Sequence, residues 1–555
     1  CPISWTILSG EVMQAWDVIV VGGSVAALRA AIAASDEGAA VTILTPSSPS
    51  SFVDDTTSCG LATSSGETNP SEHAADTRRV GADLCETDIV ASSTNSAVAH
   101  LAELERWGLN LRRDRNGSPH LGQLPGQSNP RTASTGDSTL REVRTILEEQ
   151  CIKRNIPRRG DIEILDLVHR LHDKPERYED EMRGKGWDVC GLIALDTQSG
   201  EIFAIQSKSI VLAGSGFQSA WNGDGIGMGT AANLFLKLGH YLSDLEFTSY
   251  HPLTVADTDL KIPLDVLGSG GVVNGPDGQP LSAEDGPDTL AREILLSGGG
   301  SLDLTAISRD DSPWFANVAD ALLSRCGIDY SQQLIPLNPR VSTTIGGLPT
   351  NPSGNVCSFE WEIIRGLFAA GDAACTGLHG ASMNSGDHLL GALTSGSVAG
   401  ATAANHASES KFVGSSAISS MLTDAHHQHD SILTEAGSEG ASPGSIQSQL
   451  AATMQANMGH ERSAKGLEIA QSTIQGLSET KMAISDTSPV MNTELVAMLR
   501  TKGLVYVARS AVCAAIERTE SRGSHVRTDF PETDENQSHH SFHSYSFYGT
   551  LPLRN

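Results

Sequence analysis

The first place where residue types and spacing could do chemistry is a glycine turn between an apolar strand and an alanine-rich helix. Val18 to Val21 reads as a buried strand, Gly22-Gly23 as the turn, and the helix runs on from Ser24. Val41 to Leu44 follows at the spacing of a βαβ unit. Such a unit sets a diphosphate against bare amides at a helix N-terminus, where the dipole favours negative charge. Ser24 and Ala27 stand where the G-x-G-x-x-G fingerprint has its second and third glycines. Alone the signal is weak, because the same pattern occurs in α/β domains that bind nothing.

Further candidates follow along the chain. Ser209 to Ala213 is a second buried strand running into Gly214-Ser215-Gly216, where backbone could approach a ligand without a side chain between. Asp224 lies in Asn222-Gly-Asp-Gly225, and His251 closes Asp244-Leu-Glu-Phe-Thr-Ser-Tyr-His251. Late in the chain Gly371-Asp372 ends the strand Gly366 to Ala370, His379 follows a glycine-rich turn, and a small-residue helix runs on after Leu389. Asp372 reads equally as a helix N-cap, and His379 equally as a core histidine. His426-His427-Gln428-His429 lacks the cysteine or acidic partners of a metal site and reads as a solvated stretch. No metal site is expected.

The elements that must position these residues alternate between strand and helix through the first half, which points to α/β architecture. Gly191 to Asp196 and Glu201 to Ile205 read as a hairpin about Thr197-Gln-Ser-Gly200. The expected organisation is a two-piece Rossmann-like nucleotide-binding domain (13–245 and 340–406), an inserted α+β capping domain (246–339), a linker (407–445), a C-terminal helical domain (446–530) and a tail (531–555). Residues 1–12 read as a non-native extension ahead of Met13.

A net charge of -28 over 555 residues argues against binding nucleic acid or an anionic membrane surface. The nine cysteines form no C-x-x-C pair, so no iron–sulfur or zinc cradle is expected, and they suit a reducing cytoplasm. No apolar run is long enough to span a membrane.

Taken in order, these segments resemble the flavoprotein subunits of succinate dehydrogenase and fumarate reductase, with L-aspartate oxidase as kin. Ile345-Gly-Gly-Leu-Pro-Thr-Asn351 and Glu520-Ser-Arg-Gly-Ser-His-Val-Arg-Thr-Asp529 extend the resemblance over residues 14–540. It implies an FAD-dependent oxidoreductase that transfers hydride at flavin N5. FAD would be held by Gly22, Gly23, Ser24, Ala27, Gly214, Ser215, Gly216, Asp224, Gly371, Asp372, His379 and Leu389, with Asp372 on the ribityl chain. It also implies a small organic acid as substrate, a separate iron–sulfur subunit as partner, and attachment to the inner face of a membrane only through that partner. By resemblance, His251 helps hold substrate and Arg292, in Leu290-Ala-Arg-Glu293, handles the proton.

Five other family positions are altered. The Thr-Glu pair falls on Pro263 and Leu264, a relay arginine on Leu267, the second substrate histidine on Ser342, and the carboxylate-clamping arginine on Met383. Without a bidentate arginine clamp, ordinary succinate or fumarate turnover is not expected. Where a histidine would bond the flavin, the chain reads Asp55-Thr-Thr-Ser58, so non-covalent FAD is expected. Three readings stay open beside the main one: a complex II-type subunit with a rebuilt pocket, an aspartate oxidase-like enzyme, and a non-catalytic electron relay.

Overall fold

A computed structural model describes residues 6–8, 11–46, 59–64, 69–171, 187–413 and 416–544. The strand Glu11–Val21 is the axis of the main sheet, and Thr6–Leu8 folds back antiparallel on its start. On one side it pairs in parallel with Val41–Leu44 and on the other with Ile202–Leu212. Ile363–Ala369 joins Ile202–Leu212 in parallel through Ile210 to Leu212. Parallel strands need helices on their faces, which is why Val18, Ile19 and Val20 are all fully buried.

The expected hairpin is present: Trp187–Asp196 and Ile202–Leu212 run antiparallel, with Ile162–Leu171 added outside. Two helices cover the sheet, Val25–Asp36 and Asp387–Glu409. They approach closely because glycines face the first helix. A Cβ at Gly396 would meet Ala26 O at 2.5 Å, and one at Gly400 would meet Ala30 O at 2.1 Å. Parts of the chain distant in sequence, one holding Val25–Asp36 and the other Asp387–Glu409, are thereby packed together.

Between them the chain leaves through Thr248–His251 and returns through Arg340–Thr344, and these two strands pair antiparallel. The intervening segment carries its own core around Leu253, Ile262, Leu290, Leu302 and Leu337. It includes the helix Pro287–Leu296 and a three-stranded sheet of Val272–Asn274, Gly300–Asp303 and Ile335–Leu337.

The expected linker is different. Ser416–Thr434 is a helix, with Ile418 buried in the main core and Met421, Leu422, Ala425, Ile432 and Leu433 packed against it. That helical spacing outweighs a composition rich in serine, glycine and histidine. His426 and His427 are exposed on it, whereas His429 is buried. Three further helices follow, Pro443–Asn457, Ala464–Glu479 and Thr493–Glu517. No helix among the described residues is long and apolar enough to cross a membrane.

Because Ala30 O leaves no space at Gly400, Gly400→Ala should force the two sheet-covering helices apart. A stability loss of about 1–3 kcal/mol is expected, read as a lower denaturant midpoint with an unchanged slope. An unchanged midpoint would contradict this packing.

Candidate functional site

One long cavity runs from the Gly22 turn to the strand Thr248–His251. At its nucleotide end Gly22 has φ +134°, and a Cβ there would lie 2.3 Å from Ala213 O. Only glycine lets the first strand turn against the second at this distance. Ser24 does not break the fingerprint so much as serve it. Its hydroxyl accepts from Ala27 N at 3.2 Å as the helix N-cap and donates to Ala213 O at 2.8 Å. Gly22, Gly23, Ser24, Gly214 and Ser215 all line the cavity, and a Cβ at Gly214 would meet nothing within 4 Å. The Gly22 amide is given to Leu44 O at 2.9 Å, and the amides of Gly23 and Ser24 at this helix end form a cradle suited to a diphosphate.

Four residues of the expected set do not line the cavity. Ala27 is fully buried in the helix, and its role is the amide given to Ser24. Gly216 lacks a side chain for a packing reason, since a Cβ would lie 2.1 Å from Thr344 Oγ1. Asp224 is exposed and accepts from Ile226 N at 2.9 Å, closing its own turn, while Gly225, Gly227, Met228 and Gly229 reach the cavity. The His379 ring packs against Gly391, and burial lowers it to about 4, so it is neutral at pH 7.

Gly371, Asp372 and Leu389 line the cavity midway. Gly371 has φ +61°, and a Cβ would lie 2.7 Å from Ala26 Cβ. Asp372 accepts from Thr343 Oγ1 at 3.1 Å and pairs with His388 Nε2 at 2.7 Å. Burial pushes its carboxyl up, but His388 and Thr343 outweigh that and hold it below the usual range. The helix Asp387–Glu409 starts at Gly386 and adds His388, Leu389 and Ala392 to the lining. Its first carboxylate, Asp387, turns away to His73 at 2.6 Å and Thr77 at 2.7 Å. His388 and Thr343 were missed in the sequence because neither belongs to a glycine pattern.

The far end is built from Ser249, Tyr250, His251, Leu264, Ser342 and Met383. Arg292 is not among the lining residues. It lies half-buried in the helix Pro287–Leu296, within the field of His460, and the same helix reaches the cavity a turn earlier through Pro287. The two lining arginines, Arg144 and Arg500, stand at the opposite end with Thr45 and Glu163, and Arg500 is paired to Glu163 at 2.7 Å. Among the described residues, the far end therefore carries no lysine or arginine.

Outside the cavity, Asp244, Cys375 and His540 bring three possible ligand atoms within 4.8 Å of one another. Their atoms are committed to each other. The Cys375 thiol donates to Asp244 Oδ2 at 3.2 Å, and His540 pairs with Asp244 through Nδ1 and with Glu86 through Nε2 at 3.1 Å. Asp244 also accepts from Ser541 N at 2.9 Å, so the cluster clamps the tail. Further in, Arg518 bonds Glu246 at 2.6 Å and Glu520 at 2.9 Å, and Arg522 bonds Glu520 at 2.8 Å, all buried.

The family described as the FAD binding domain matches residues 17–389, and that described as the fumarate reductase flavoprotein C-term matches 447–550. This chain belongs to the succinate dehydrogenase and fumarate reductase flavoprotein family. Its members are FAD-dependent oxidoreductases, and FAD is the cofactor that the glycine cradle fits. A fumarate reductase flavoprotein subunit of Haemophilus influenzae is 27% identical over 579 residues, covering 96% of this chain and 92% of that one. One from Mycobacterium tuberculosis is 27% identical, covering 94% and 93%. A solved quinol fumarate reductase structure from E. coli has a TM-score of 0.87 at 24% identity, covering 97% and 96%. The Glu520–Asp529 segment lies within the matched C-terminal region and has a structural use here: Arg527 holds Asp529 at 2.8 Å and His525 accepts from Arg462 at 2.6 Å.

Two outcomes follow. The Asp244 charge raises His540 to about 9, against burial, and Asp244 is held low by His540 and Arg518 against its burial. A histidine raised in the fold contributes fully below its unfolded value and loses that contribution as pH rises through the folded one. Thermal stability should fall from pH 6.5 to 9.5 in the wild type and fall less in His540→Gln; parallel curves would contradict the clamp. Separately, Asp372→Ala should raise the FAD dissociation constant and lower Tm in FAD-containing buffer by lost ligand linkage. Equal FAD retention by gel filtration would contradict this.

Proposed function

We propose that this chain transfers hydride between a small organic substrate and flavin N5, and that the substrate is neither succinate nor fumarate. The observation that carries this is that the far end of the cavity has no lysine or arginine among the described residues. A dianion leaving water needs charge-assisted partners, and an arginine fork supplies them where a methionine does not. Met383, Leu264 and Ser342 instead offer apolar contact and one hydroxyl.

Bound FAD supplies a two-electron acceptor or donor at N5. The chain's own residues bind and orient. Ser249, His251 and Ser342 give polar contacts to the substrate, and Leu264 and Met383 exclude water from it. Arg292 is set back from this wall, so the proton is handled by a group on the strand Thr248–His251. Electrons pass on to a separate iron–sulfur subunit, a reading supported by relatives that are themselves named subunits and by the lack of a C-x-x-C pair in this sequence. FAD is held without a covalent bond, since no histidine stands between Val53 and Leu61. That segment's Asp55 to Ser58 lie outside the described residues.

Acid precipitation should release all the yellow colour into the supernatant, and colour in the pellet would overturn the non-covalent attachment. Anaerobic succinate should leave the flavin of the purified protein oxidised. Met383→Arg should tighten dicarboxylate binding about tenfold yet not restore rapid turnover, because Leu264 and Leu267 still interrupt the proton path. Fast bleaching of the wild-type flavin by succinate would return the chain to ordinary succinate oxidation.

A further inference from the structure

The wall at the far end is tied together by one buried carboxylate that the proposed reaction does not use. Asp288 is the second residue of the helix Pro287–Leu296. Its Oδ1 accepts from Tyr250 N at 2.6 Å and from Ser249 Oγ at 3.2 Å. Its Oδ2 accepts from Ser382 Oγ at 2.7 Å, and the Met383 amide is a fourth donor. Of the residues making these bonds, Ser249, Tyr250 and Met383 line the cavity, as does Pro287 beside Asp288. The strand ladder also shifts register between Ser249 and Tyr250, and the carboxylate holds both residues at that irregularity.

We propose that Asp288 is the specificity-determining group of the cavity: its charge, held directly behind the wall, turns away dianionic acids and leaves the site to an uncharged organic substrate. This rests on the reading that the far end receives the substrate. Hydroxyl and amide donors stabilise the ionised carboxyl without cancelling its charge. Burial pushes it up to about 6, so it is mostly ionised at pH 7. Tyr250 feels its charge together with that of the buried Arg462 guanidinium, while His251 follows on the strand and Arg292 lies one turn along its own helix. Tyr250 is raised to about 12 by burial and stays neutral. The segment 381–386 contributes no charge. In a cavity walled by Leu264 and Met383 less water screens the repulsion than at the surface, so an incoming dianion meets it more strongly than it would in bulk water.

The test uses the FAD-loaded protein and follows the flavin absorbance while two probes of similar length are added. Ethanedisulfonate remains a dianion from pH 5 to 8, and succinamide is uncharged. The wild type at pH 7.5 should bind succinamide at least about tenfold more tightly. Asp288→Asn should raise ethanedisulfonate affinity by about tenfold and leave succinamide within about threefold. An unchanged ratio of the two affinities in Asp288→Asn overturns the proposal, as does a wild type that prefers the dianion or binds neither probe.

Asn supplies one acceptor oxygen where the carboxylate has two, so a second measurement covers a variant whose wall fails to form. The wild type then serves by itself. Its affinity for ethanedisulfonate should rise as pH falls from 8 to 5 while that for succinamide stays level, and a flat dianion curve overturns the proposal. Succinate oxidation by the wild type would instead sink the reading on which this one rests. Inert succinate with an unchanged affinity ratio would sink only the role of Asp288.

Discussion

Backbone contact around the N-terminal end of one helix is the constraint on which the rest of the structure depends. The helix Val25–Asp36 is approached from three directions at distances that exclude a side chain. Gly22 meets Ala213 O, Gly371 meets Ala26, and Gly396 and Gly400 lie on the backbone of Ala26 and Ala30. These contacts join segments up to 370 residues apart in sequence, so the cofactor cradle exists only when both pieces of the nucleotide-binding body have closed. Close packing here is also what sets Gly23, Ser24 and the bare face of Gly214 along the cavity. Stability and cofactor binding are thus two consequences of one arrangement.

From that cradle the cavity changes character along its length. The nucleotide end has helix amides, with Arg144 and the Arg500–Glu163 pair nearby. The middle holds the Asp372–His388 couple. The far end has hydroxyls, apolar side chains and a buried carboxylate behind them. The fold and cofactor are those of the family, while the far end has no lysine or arginine among the described residues. The buried charges of Arg518, Glu246, Glu520 and Arg522 sit instead under the C-terminal tail, where each is paired and serves assembly of the chain.

Much of this was legible in the residues. The strand, glycine turn and second strand announced the βαβ unit, and Gly371-Asp372 announced the return to it. Ser24 looked like a defect in a glycine pattern, but its hydroxyl does work that a glycine could not. Gly216, Asp224 and His379 belong to the right turns yet face away from the cavity, because a motif identifies a loop and not the direction of each side chain in it. The same limit displaced Arg292. Its helix does reach the site, but one turn earlier, at Pro287 and Asp288, and a lone aspartate in a loop-rich stretch has no spacing to mark it. The helix Ser416–Thr434 was hidden by composition, although Ile418, Met421, Leu422, Ala425 and Ile432 already had helical spacing.

The central claim is that FAD lies in a cavity whose far end presents no lysine or arginine. A crystal structure of the FAD-loaded protein tests this most directly. The account predicts the diphosphate on the amides of Gly23 and Ser24, the flavin ring between the helix start at Gly386 and the wall of Ser249 to His251, and only Ser, Tyr, His, Leu and Met side chains around the ring's open face. An arginine or lysine nitrogen within hydrogen-bonding distance of that face, Arg292 above all, would contradict it.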